Sequence, residues 1–86
     1  MDDIKVATIN CRGQTRLTVA KQLQIQHFIK EHNVDIVFLQ ETNFNLNTFD
    51  NCEHIRKYYS YIYNNASNEY GTAALIRNKL DVLVRM

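Results

Sequence analysis

Apolar and polar positions follow two different periods along this chain. The densest apolar run is Ile36-Val37-Phe38-Leu39, which passes into the amide of Gln40 and the carboxylate of Glu41. A short run rich in β-branched and aromatic residues predicts a strand over 34–41, buried on both faces. Upstream, Ile4, Val6, Thr8 and Ile9 predict a first strand over residues 4–10, punctuated by Asn10 and Gly13. Residues 16–32 hold neither Gly nor Pro. Leu17, Ile25, Phe28 and Ile29 share one side of a 3.6-residue wheel with the Lys21 stem, and Ala20 and Leu23 widen that stripe. Gln22, Gln26, Lys30 and Glu31 take the polar side. This predicts a helix, with Thr15 or Thr18 as its N-cap and Asn33 as a left-handed C-cap.

The Asn- and Asp-rich stretch Thr42 to Ile55 predicts a loop, with one helical turn near 46–50. Tyr58–Tyr63 reads as a third strand, Asn64–Glu69 as a polar turn and Gly71–Arg77 as a fourth strand. Asp81–Arg85 reads as a fifth, joined to the fourth by a hairpin at Asn78-Lys79-Leu80. The order is β-α-β-β-β-β. Its first three elements form a right-handed βαβ unit, which makes the first two strands parallel. Asn10 and Glu41, each closing its strand, then reach the same edge of the sheet. Ligands collect at the carboxyl ends of strands in such sheets.

Eighty-six residues permit one small domain with a thin core. A fifth strand with no neighbour would leave an open edge, so the chain is expected to be part of a larger domain. A net charge of +1 gives no global attraction to nucleic acid or membrane, and any such binding must come from a local patch. Cys11 and Cys52 show no CxxC spacing, which fits reduced thiols in an intracellular protein. The acidic start Met1-Asp2-Asp3 is unlike a secretory signal, and no apolar run reaches membrane-spanning length. The sequon Asn65-Ala66-Ser67 is therefore expected to stay unmodified.

Asn10 and Glu41 together offer an amide oxygen and a carboxylate, a donor set that suits a hydrated hard cation such as Mg²⁺, with Mn²⁺ as a substitute. The same residues fit equally well a Glu paired with an Arg and an Asn capping a turn. His27 and His32 lie five apart on the helix and do not make a zinc pair, and His54 falls in the expected loop. Arg12, Arg16 and Lys21 cluster where the first strand meets the helix, Arg56 and Lys57 precede the third strand, and Arg77 and Lys79 mark the last hairpin. If these tips share one face they hold phosphates, with Tyr58, Tyr59, Tyr61 or Tyr70 for stacking. Alternating tyrosines also fit a strand that is half core and half surface.

Ile4-Lys5-Val6-Ala7-Thr8-Ile9-Asn10-Cys11-Arg12-Gly13 resembles the opening strand of the endonuclease/exonuclease/phosphatase superfamily. Asp35-Ile36-Val37-Phe38-Leu39-Gln40-Glu41-Thr42 resembles its D-I-x-x-L-Q-E-T motif, and Tyr70-Gly71-Thr72-Ala73-Ala74-Leu75-Ile76-Arg77-Asn78 is similar to its later G-T-A-x-L-I-x-N strand. The last segment is most like the endonuclease domains of non-LTR (LINE-type) retrotransposons. The resemblance implies an α/β fold, the amino-terminal portion of a four-layer αββα sandwich. It also implies Mg²⁺-dependent cutting of DNA phosphodiester bonds, and so a nuclear place of action. Glu41 carries over as metal ligand, and Asn10 as a residue that holds the metal or the scissile phosphate. Arg12, Arg16 and Arg77 remain candidates for the DNA backbone. The superfamily's Tyr, Asp-x-Asn and Asp-His motifs have no counterpart in these residues, so the chain alone is expected not to turn over substrate. Two other readings stand beside this one. The first is an inositol-phosphate or sphingomyelin phosphodiesterase, or a deadenylase, of the same superfamily; the second is a non-catalytic truncated module.

Overall fold

The computed structural model describes residues 3–11, 18–42, 47–64 and 71–80, with Glu41, Thr42 and Asn64 described by their backbone alone. Its elements are β1 (Val6–Asn10), α1 (Val19–His32), β2 (Ile36–Thr42), α2 (Glu53–Tyr58), β3 (Tyr59–Asn64) and β4 (Gly71–Arg77). Among the described residues the strands form one sheet in the order β1-β2-β4-β3. β1 and β2 are parallel, as the helix between them requires, and β4 runs antiparallel to both β2 and β3. This is a mixed α/β domain. The expected fifth strand, the Thr15 cap, Leu17, Tyr70 and the 65–69 turn lie outside the described residues. Residues 78–80 continue from β4 with helical backbone instead of a tight hairpin turn.

α1 starts where Thr18 Oγ1 accepts the Lys21 N–H at 3.1 Å, and its interior carries no helix breaker. It stops at Asn33, whose φ of 52° and ψ of 50° place it in the left-handed region that Asn tolerates. The Asn33 N–H then donates to Lys30 O, and the Val34 N–H donates to Ile29 O at 3.2 Å. That pair of bonds is a Schellman ending. The chain turns directly into β2, and Asp35 Oδ2 accepts the Lys5 N–H at 3.0 Å, tying β1 to β2 at their entry.

One face of the sheet carries the core. Val37, Leu39, Leu75, Ala73 and Tyr59 pack beneath Ile25 and Ile29 of α1, Ile55 of α2 and Phe49 and Cys52 of the intervening turn. Burying each aliphatic side chain contributes roughly 1.5–3 kcal/mol. The opposite face is open: Val6, Phe38 and Ile62 are 55%, 45% and 52% exposed. β2 is therefore buried on one face, not on both as its unbroken apolar run suggested. Phe38 supplies the run's continuity from the uncovered side.

Three further expectations are corrected. α1 buries Gln22, Ile25 and Ile29, while Ala20, Lys21 and Leu23 are exposed, so the helix is turned toward its glutamines. The reason is α2, a helix in the stretch read as a loop around His54. Its N-cap Cys52 makes no side-chain bond, and Gln26 Oε1 instead accepts the His54 and Ile55 N–H groups at 2.9 and 3.3 Å. A polar residue of α1 thus caps α2 from across the core. Tyr58 closes α2 and does not open β3. Cys11 and Cys52 are both buried free thiols, and burial raises the Cys52 thiol pKa. No helix among the described residues is long and apolar enough to cross a membrane.

Candidate metal centre

The parallel pairing of β1 with β2 sets Asn10 opposite Gln40, the residue immediately before Glu41. The Cys11 N–H donates to Gln40 O at 2.8 Å, which carries the ladder one rung past Asn10. Asn10 and Glu41 therefore leave the sheet at the same end, on neighbouring strands. Parallel strands lie about 4.8 Å apart, so the two positions are near enough for side chains that share one hydrated ion.

Residues opposite each other point to one side of a sheet, and Gln40 shares its side with Asn10. In a regular pleat Glu41 would face the other way, with Val37 and Leu39. However, Gln40 pairs with Thr72 of β4, and Thr42 pairs with Gly71. β2 advances two residues where β4 advances one, so Glu41 is the extra residue of a β-bulge. A bulge interrupts the regular alternation of the backbone, and such irregularities are over-represented beside active sites.

The donor chemistry fits a hard divalent cation. An amide oxygen and a carboxylate are oxygen ligands, and Mg²⁺ is commonly held by one or two protein carboxylates while it keeps its waters. Among the described residues no group of three or more His, Cys, Asp or Glu side chains converges on a cation.

The basic residues are divided between the two ends of the sheet. Arg12 and Arg16 lie outside the described residues. Lys21 lines a recess with Asn10, Gln24 and Phe28 at the mouth between β1 and α1, next to the candidate centre. Arg77 stands at the opposite end, five residues along β4 from Thr72 and so roughly 17 Å away. Its Nη2 donates to Asn33 Oδ1 and to Val34 O, each at 2.9 Å, and its guanidinium lies 5.4 Å from the Tyr59 ring centre. Nε faces Asp35 Oδ1 at 2.9 Å without hydrogen-bond alignment, so that contact is one of charge. The Tyr59 hydroxyl donates to the same Val34 carbonyl, and burial raises its pKa, which keeps the proton in place. Lys79 belongs to this end too, in a recess with Lys5 and Asp35. The condition that all the basic tips share a face is not met for Lys21 and Arg77. On α2, Arg56 donates to Asp50 O at 3.2 Å and Lys57 sits over the Tyr58 ring.

His27 pairs with Glu31 on the exposed side of α1, and the His32 ring lies tilted against Phe28, centroids 4.6 Å apart. His54 packs against Tyr58 and Tyr59, and its pKa is lowered by burial and then by Lys30 and Arg77. Gln40 and Thr72, which meet Asn10 in one row across the sheet, enter the sequence reading only as members of the two family-like motifs. Their meeting has no local signal, because it depends on the β1–β2 and β2–β4 registers.

The family described as Endonuclease/Exonuclease/phosphatase matches residues 7–85, a span that includes both Asn10 and Glu41. No match was found among curated proteins or solved structures. With nearly its whole length matched, the chain belongs to the endonuclease/exonuclease/phosphatase family, a family of phosphodiesterase-type hydrolases.

Proposed function

We propose that this chain is the amino-terminal part of a Mg²⁺-dependent DNA endonuclease of the LINE retrotransposon type. In this reading Glu41 is a metal ligand and Asn10 holds the metal or the scissile phosphate. The observation that carries the proposal is the parallel register of Asn10 with Gln40, which brings the amide beside the bulged Glu41. The DNA substrate is supported by the likeness of Gly71–Arg77 to the LINE-type strand, and by Lys21 beside Asn10. A cation bound there supplies neutralisation of the charge that builds on the phosphate oxygens, and it helps position a water. Neither Asn10 nor Glu41 is a general base in this scheme, and the proposal assigns that role to chain following Met86.

The test is nicking of supercoiled plasmid in Mg²⁺ by the longer chain that carries these residues, with abasic DNA and a phosphoinositide as parallel substrates. Plasmid is expected to be nicked, and Glu41→Ala to lower the rate by at least about a hundredfold. Hydrolysis of phosphoinositide alone moves the assignment to the lipid-directed members of the family. Retained cutting by Glu41→Ala removes Glu41 from the mechanism. Nicking by the 86-residue chain itself, lost on the same substitution, overturns the assignment of the base to a later segment.

A further inference from the structure

Gln26 caps α2 with one end of its amide only. Its Oε1 accepts the His54 and Ile55 N–H groups, which fixes the side chain, while its NH₂ donates to no described residue. Gln26 borders a polar recess of about 310 Å³ between α1 and α2, together with Lys30, Glu53, His54, Lys57 and Tyr58. Gln26 and Lys30 are four apart on α1, and His54 and Lys57 three apart on α2, so each pair shares a face of its helix.

The recess holds donors and positive charge without a matching acceptor. Among the described residues neither lysine forms an ion pair. Glu53 stands four residues before Lys57, yet the Lys57 ammonium lies over the Tyr58 ring, 5.5 Å from its centre, and not on that carboxylate. The charges that act on the His54 ring are cationic, since its pKa is lowered by burial and then by Lys30 and Arg77. Two ammonium groups, an amide NH₂ and an imidazole N–H suit an anion with several acceptor oxygens. We propose that this recess is a phosphate-binding site, in which Lys30, Lys57, Gln26 and His54 hold the oxygens of one phosphate group. It is separate from the candidate metal centre: His54 packs on Tyr59, which pairs with Arg77 at the far end of the sheet from Thr72.

The test is a titration of the dilute 86-residue chain with inorganic phosphate at constant ionic strength, with chloride as the anion replaced. ¹H–¹⁵N and ¹H–¹³C spectra follow the Gln26 NH₂ and the His54 ring. Saturable shifts at both are expected. Lys30→Gln and Lys57→Gln are each expected to weaken binding about tenfold, the loss of one charge-assisted bond. Both lysines are exposed, so the fold survives their replacement. Lys79→Gln, outside the recess, should leave the affinity unchanged. Shifts that do not saturate, or a loss in Lys79→Gln as large as in Lys30→Gln, overturn the site and leave only general attraction to surface lysines. Wild-type affinity in both recess variants overturns it as well. A short DNA duplex supplies the second arm, and either of its results keeps the site. If the duplex shifts the same two groups and free phosphate displaces it, the phosphate belongs to a nucleic-acid backbone. If inorganic phosphate alone shifts them, the ligand is a small phosphate compound. No metal enters the titration, so its outcome leaves the assignment of Asn10 and Glu41 untouched.

Discussion

Arg77 joins three segments that are distant in sequence. Its guanidinium meets the helix-ending Asn33, the Val34 carbonyl and Asp35 at the entry of β2, and the face of Tyr59 at the start of β3. The ion pair with Asp35 is mostly buried, both side chains being 18% exposed, so it lies between surface pairs worth little and buried pairs that are costly to break. Arg77→Ala is expected to destabilise the domain by about 2 kcal/mol, because Asp35 and the Val34 carbonyl lose their donor. Arg77→Lys should recover only part of that, since an ammonium cannot span the three acceptors as a planar fork does. Urea unfolding of the three proteins measures this. Equal stability of Arg77→Ala and wild type would instead release the guanidinium for a role outside the fold.

At the scale of elements, α2 and α1 are coupled through one amide. Gln26→Ala is expected to cost about 1 kcal/mol, the usual loss for a helix cap. The loss should be local: the His54 and Ile55 amides exchange faster with solvent, while those of β2 and β4 are unchanged. Uniformly faster exchange would mean that α2 does not open separately from the sheet. The same bond explains what could be read in the sequence. β1, α1, β2 and β4 were legible because their signals are local: an apolar run, a breaker-free periodic stretch, a Thr cap and an Asn stop. The cap of α2 comes from a residue 28 positions earlier than the amide it serves, so nothing near His54 announces a helix. In the candidate site, the shared edge of Asn10 and Glu41 followed from parallel topology. The bulge at position 41 did not, because it exists only in the register between β2 and β4.

At the scale of the molecule, the two faces of the sheet differ in cover but not in greasiness. Val37 and Leu39 are fully buried beneath the helices, while Val6, Phe38 and Ile62 face outward in the same strands or their neighbours. None of the outward positions described in β1, β2, β4 and β3 carries a charge, from Val6, Thr8 and Asn10 across to Ser60 and Ile62. An uncharged inner face with many apolar side chains is what each sheet of a two-sheet sandwich presents to the other, in keeping with the architecture that the family resemblance implies. The isolated chain should therefore bind a hydrophobic dye and self-associate as its concentration rises. Phe38→Lys and Ile62→Lys together are expected to suppress both effects, with stability changed by no more than about 0.5 kcal/mol each, as for exposed sites. Leu39→Ala, on the covered face of the same strand, should cost about 3 kcal/mol through the cavity it leaves. Dye fluorescence, sedimentation velocity and urea unfolding on the same samples separate these effects. If Phe38→Lys destabilises the domain as much as Leu39→Ala, the outward face is already packed within this chain, and the sheet is not waiting for a second layer.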